Sequence, residues 1–273
     1  MKFLAILIAI FYYKNWVGEN PLRKIFPFKG YQEWMSGRGL PPWFRYVLCV
    51  AVPALILSIL MTQFQGLFLG LVGLLISLCV LAYVIEPHDA EALFDEQIIW
   101  LRSVDESHNL ADVAQNQEDF EVFHIYEMFQ SVVPALFWFV LLGPGASLFY
   151  ALTIWYLDIL DSDDDEIDFL ETLVYWMELP AALITGLIFC LVGNFGPGID
   201  YWILSVADFK ESTATRLLRM AGISIDTTDV EYSDDVVGFA KLSEARTAEI
   251  SLLCERSLYG WLGVAAIATI VGL

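Results

Sequence analysis

The sequence predicts an all-α protein: a polytopic bundle of transmembrane helices with amphipathic helices on the cytoplasmic side. Three observations point there. The mean hydropathy is +0.60, with 58% hydrophobic and 18% charged residues in 273. A soluble domain is nearer half apolar and a quarter charged. Long uncharged runs recur along the chain, and a hydrocarbon core leaves such a run only helical hydrogen bonds. Finally, lysine and arginine collect in alternate loops, as cytoplasmic loops do. The net charge of −20, from 34 acidic and 14 basic residues, is the opposite of a nucleic-acid-binding footprint. No nucleic-acid partner is expected, and the composition excludes an ordinary soluble enzyme and a disordered chain.

Read in order, the spans are 3–17, 46–62, 66–85, 131–157, 174–199 and 257–273, within one membrane domain covering 1–273. The first follows Lys2 and resembles a signal peptide. No small-residue cleavage site comes after it, and Lys14, Asn15, Trp16 and Val17 continue the chain, so it reads as an uncleaved anchor. Its charge-free core from Phe3 to Tyr13 is shorter than the roughly 20 residues a perpendicular span needs. It is a short snorkelling span or a segment in one leaflet. Pro53 should kink the second span. The third carries Gly66, Gly70 and Gly73, a GxxxG spacing that lets helices approach closely. Only Gln63, Phe64 and Gln65 separate the two, which predicts a transmembrane hairpin. Met128–Leu157 and Leu179–Ile199 carry no charge, and Ser257–Leu273 closes the chain.

Segments 18–45, 86–128 and 200–256 are polar. In 86–128 the apolar residues Leu93, Phe94, Ile98 and Leu101 share one helical face, as Val113, Phe120, Phe123 and Tyr126 do more loosely. In 200–256, helical stretches are expected near Ala207–Met220 and Asp234–Arg256, around a loop holding Asp226, Thr227, Thr228 and Asp229. If each span crosses once, every lysine and arginine except Lys2 lies in these three segments or, as Lys14 does, at the end of the first span that leads into them. They are then cytoplasmic, with the Asp158–Glu171 loop and the C-terminal end on the other side.

Few residue patterns suggest chemistry. The acidic loop carries Asp158, Asp161, Asp163, Asp164, Asp165, Glu166, Asp168 and Glu171. Of these, Asp163, Asp164, Asp165 and Glu166 are the candidate cation ligands, although the EF-hand spacing is missing and a solvated loop is the simpler reading. No metal or other cofactor is expected. His124 and Glu127 lie one turn apart, the spacing of a shared metal, but a single such pair reads as an interfacial histidine. His88 and His108 are isolated from it. Glu127 stands at the mouth of an apolar helix, and Glu178 lies between Trp176 and Pro180 at the edge of another. A carboxylate at that depth snorkels, pairs or works. Asp105 joins them as the third candidate catalytic carboxylate. Gly143-Pro144-Gly145 lacks the lysine and the preceding strand of a phosphate loop and reads as a kink or packing notch. Cys49, Cys79, Cys190 and Cys254 show no CxxC or Cys/His spacing and read as small buried hydrophobes.

Glu127-Met-Phe-Gln-Ser-Val-Val-Pro134, then Phe137-Trp-Phe-Val-Leu-Leu-Gly-Pro144 and Ala146 to Tyr150, resemble the signature of AmpE-type inner-membrane proteins. Trp176, Pro180, Leu183 and Leu191-Val-Gly-Asn-Phe195 add to the likeness. The resemblance runs over almost the whole chain. It implies a multi-pass protein of the bacterial inner membrane, regulatory rather than enzymatic and linked to β-lactamase induction or cell-wall signalling. The wider family holds the CobD/CbiB-type amide ligases of cobalamin synthesis, and Glu127 matches a family glutamate. The ligase branch also carries an Arg-Asp-Thr motif where this chain has Val113, Ala114, Gln115 and Asn116. It has a Tyr-Arg-Leu where this chain reads Tyr150, Ala151, Leu152, and an arginine where this chain has Ala182. An anionic substrate needs such cations, and their loss argues against ligase chemistry.

The expectation is therefore a regulator or scaffold whose partners are the lipid bilayer and either another membrane protein or a second copy of itself. A ligase built on Glu127, Asp105 and Glu178 is the alternative; it requires Glu127 to meet an arginine or lysine. An accessory subunit of a larger membrane complex is the third reading.

Overall fold

In the computed structural model, residues 2–15, 20–64, 70–85, 90–160, 166–225 and 235–272 are described. Helices α1 (Lys2–Asn15), α2 (Pro21–Ile25), α3 (Phe28–Ser36) and α4 (Pro42–Tyr46) lead through a π-helical turn, Val47–Ala51, into α5 (Val52–Phe64). Next come α6 (Leu71–Val84), α7 (Ala90–Ser103), α8 (Leu110–Gln130), α9 (Val133–Leu142) and α10 (Pro144–Leu157). The last four are α11 (Ile167–Val192), α12 (Phe195–Ser205), α13 (Thr213–Ser224) and α14 (Val236–Val271). Among the described residues all regular structure is helical, as expected. Four stretches are long and apolar enough to cross a membrane: Pro42–Gln63, Leu110–Leu142, Ile167–Val192 and Val236–Val271. Lys2–Tyr13 and Leu71–Val84 are apolar but shorter.

The expected single membrane domain over 1–273 is divided by its contacts into compact parts. The chain forms two compact units, one of Met1–His88, Gln130–Leu179 and Leu262–Leu273, the other of Asp89–Phe129 and Pro180–Trp261. α8, α11 and α14 each give residues to both, so hydropathy along the chain does not reveal the division.

In the first unit, Pro53 does not break its helix. The π turn lies just before it, and Val52 donates its N–H to the Val47 carbonyl. That wider turn takes up the missing donor and ring clash that proline brings to a helix interior. The unit is cored by Met35, Tyr46, Cys49, Val50, Leu152, Tyr156 and Leu170, and by Val84, Ala135, Tyr150, Ala151 and Met177. α6 packs chiefly on α1 and α10 rather than on α5. Gly66 lies outside the described residues. A side chain at Gly73 would only touch Met61 at an ordinary 3.9 Å.

The expected span 131–157 is corrected: it is a helical hairpin. Tyr13 Oη meets Ser131 Oγ at 3.4 Å, while Lys2 Nζ donates to the Val140 carbonyl at 3.1 Å. α9 therefore runs antiparallel to α1. The chain reverses at Gly143 (φ 89°, ψ −172°), a conformation open essentially to glycine alone. α10 then returns along α5 and α4: Gly145 lies against Ala54 and Ser58, and Tyr156 meets Arg45. At 1.5 Å per residue α9 rises about 15 Å and α10 about 21 Å, each short of a core about 30 Å thick. Lys2 satisfies a carbonyl in the last turn of α9, where the helix dipole favours a cation.

In the second unit, Leu101, Val104 and Val113 pack with Val236 and Ala240. Trp202 donates to the Leu183 carbonyl at 2.7 Å and Trp261 to Thr185 Oγ1 at 3.1 Å. The expected span 174–199 is interrupted: α11 ends at Val192, and α12 restarts at Phe195 after Asn194 donates its N–H to the Ser224 carbonyl. The expected helix near Asp234–Arg256 and span 257–273 are one helix, α14, because Glu255-Arg256 is compatible with uninterrupted helical propensity.

Candidate functional site

Charged groups leave water only where partners replace it, so the buried polar side chains locate whatever chemistry the fold holds. In the first unit the outstanding one is Glu178, 1% exposed on α11. Its Oε1 accepts from Tyr150 Oη at 2.9 Å and from Gln130 Nε2 at 3.1 Å. Next to it, Trp138 donates to the Met177 carbonyl at 3.1 Å. That carbonyl lies in the turn leading to Pro180, whose ring interrupts the helical ladder. The sequence placed Glu178 at the edge of a span; the structure makes it a buried acceptor joining α8's last residue, α10 and α11.

The second unit holds a larger network on α8. Gln117, Glu121 and His124 are buried there, while Phe123 is 50% exposed. The apolar face expected from Val113, Phe120, Phe123 and Tyr126 is thus replaced by a stripe of Val113, Gln117, Glu121 and His124. Glu121 can be buried because Arg246 Nε on α14 lies 3.1 Å from both its carboxylate oxygens. Gln117 Nε2 donates to Glu121 Oε1 at 2.9 Å and to Thr247 Oγ1 at 2.6 Å, and Gln97 Nε2 donates to Gln117 Oε1 at 3.0 Å. The ring of His124 stacks on Phe120 with centroids 5.4 Å apart, and Phe94 approaches from the other helix. In the same unit Arg216, 1% exposed, donates to the backbone carbonyls of Ser205, the last residue of α12, and of Asp208 just beyond it. Arg219 pairs with Glu211 at 3.1 Å, which also accepts from Tyr201.

The remaining sequence candidates fall apart from one another. Glu127 is half-buried on α8, one turn beyond His124. On the same helix Glu121 takes the Nε–H of Arg246 between its two carboxylate oxygens. Asp105 is exposed in the turn between α7 and α8 and is held by Ser107 and His108, with His108 Nδ1 at 2.9 Å. The Ser107 hydroxyl and amide, then His108, keep its carboxyl below the usual range. Asp163, Asp164 and Asp165 lie outside the described residues, as do His88 and the 226–229 loop. Glu166, the described member of the acidic candidate cluster, is engaged by Arg45 Nη2 at 2.8 Å and Tyr156 Oη at 3.1 Å. Among the described residues no group of three or more His, Cys, Asp or Glu is arranged to hold a metal.

Sequence reasoning missed Glu121, Arg246 and Arg216. The available signal was the spacing of Gln117, Glu121 and His124 along one helical face, which is masked by the neighbouring phenylalanines. Comparisons with protein families, curated proteins and solved structures found no match.

Proposed function

We propose that this protein is a non-enzymatic regulatory or scaffold protein of the bacterial inner membrane, of the AmpE type its sequence resembles, acting in cell-wall signalling or β-lactamase induction. One observation carries the reading: large apolar side chains stand exposed along helices long and apolar enough to cross a membrane. Leu55, Ile56, Ile59 and Leu60 on α5 are each between 45% and 62% exposed. The buried acids Glu121 and Glu178 instead tie helices together. An apolar exterior of that extent suits lipid or a membrane partner. The ligase alternative, built on Glu127, Asp105 and Glu178, draws less support because Asp105 is exposed in the turn between α7 and α8 and is held by Ser107 and His108.

The test is gentle solubilisation of the full chain from native membranes, followed by identification of what travels with it. A reproducible membrane-protein partner, lost when Leu55 and Ile59 are changed to serine, is the expected result. Purification alone, with thermal stabilisation by a nucleotide, would overturn the reading in favour of an enzyme.

A further inference from the structure

A cleft of about 330 Å³ opens in the first unit where α6 and α10 end and α2 gives way to α3. Its lining includes Arg23, Phe28, Lys29, Tyr83, Trp155 and Asp158. Its floor is aromatic: Tyr83 and Trp155 meet edge to face at 5.2 Å, and Phe28 lies 6.1 Å from Trp155. The Arg23 guanidinium stands 4.2 Å over the Trp155 ring and donates to the carbonyls of Tyr83 and Val84. It is thus fixed by the end of α6 instead of swinging in solvent. Tyr83 Oη donates to the Phe26 carbonyl at 2.8 Å and closes that side. Lys29 on α3 is exposed at the mouth.

We infer that this cleft binds the headgroup of an anionic phospholipid with a single phosphate and free hydroxyls, of the phosphatidylglycerol kind. This rests on the reading of the chain as membrane-embedded. The argument is charge complementarity at the right depth. The chain as a whole carries −20, yet Arg23 and Lys29 both line this cleft. Apolar helices end there, and tryptophan and tyrosine near helix ends sit at headgroup level. Basic pockets beside membrane helices recognise anionic headgroups. Lys29 meets the phosphate diester, Arg23 holds fixed positive charge beneath it, and the aromatic floor takes the glycerol and upper acyl chains. Asp158 accepts from a headgroup hydroxyl and repels a second phosphate.

The experiment titrates dioctanoyl phosphatidylglycerol, dioctanoyl phosphatidylcholine and inorganic phosphate separately into the full chain in a neutral detergent, with thermal unfolding as readout. Phosphatidylglycerol is expected to stabilise at concentrations well below phosphatidylcholine, and inorganic phosphate to do little. Lys29→Gln should weaken the phosphatidylglycerol response about fivefold, whereas Lys241→Gln, which is outside the cleft, should not change it. Equal responses to the two lipids, an equal effect of phosphate alone, or an unchanged Lys29→Gln would overturn the cleft assignment. Release of the chain from membranes by alkaline carbonate would sink the embedded reading itself, and the lipid site with it.

Discussion

Arg45 Nη2 donates to Glu166 Oε1 at 2.8 Å across 121 positions of sequence. Side-chain exposures of 18% and 11% make the pair largely buried, and Tyr156 Oη contacts both partners. Alternation of spans places Arg45 and Glu166 on opposite faces of the bilayer, about 30 Å apart. Their contact requires segments 18–45 and 158–171 to share a face. The cause is the reversal at Gly143, which sends α10 back along α9 where a single straight crossing was expected. Side assignments beyond residue 157 therefore no longer follow from counting spans.

Topology can be tested with single cysteines at two exposed positions, Glu33→Cys and Asp168→Cys, in a chain with its four native cysteines replaced. A membrane-impermeant maleimide should label both from the same side of sealed vesicles. Labelling from opposite sides would refute the hairpin.

The reversal itself is testable at two glycines. Gly143→Ala meets no side-chain obstacle, so its cost is that of a strained backbone, about 1–3 kcal/mol. A Cβ at Gly145 would stand 1.9 Å from Ser58 Oγ and 2.9 Å from the Ala54 carbonyl. Gly145→Ala should lower the melting temperature, and adding Ser58→Gly should recover only part of the loss, because the carbonyl remains.

The Glu121–Arg246 pair predicts non-additivity. Glu121→Gln or Arg246→Gln alone leaves a buried charge without its counterion and should destabilise by about 3 kcal/mol. The double variant should cost less than the sum, as chemical denaturation of all four proteins would show. Strict additivity would mean that the two groups do not interact energetically.

Acid sensitivity is expected in the turn between α7 and α8. A carboxyl whose folded pKa lies below its unfolded value adds stability above the unfolded value, and that stability is lost as pH falls through the folded one. Asp105 is such a group. Exchange of the Ser107 amide, which bonds Asp105 Oδ1 at 3.0 Å, should therefore accelerate as pH drops below about 4, beyond the intrinsic pH trend. Asp105→Asn should abolish that excess.

Glu178 gives a last prediction. Tyr150→Phe removes one of the donors to a buried acceptor and should cost about 1–3 kcal/mol, while Tyr31→Phe, whose exposed hydroxyl donates to the Leu48 carbonyl, serves as the control for losing a tyrosine hydroxyl.

The sequence by itself determined the helical class, the apolar stretches and their approximate limits, because the hydrocarbon core forces an uncharged run into a helix whatever its neighbours do. It also marked Gly143-Pro144-Gly145 as a kink or notch, since glycine and proline act locally. Only the tertiary structure decided that this kink is a full reversal, that Arg246 reaches Glu121, and that Arg45 reaches Glu166. Those outcomes depend on which distant side chain arrives to replace water around a charge. Hydropathy and helical spacing read each segment alone, whereas pairing a buried charge is a property of two segments brought together.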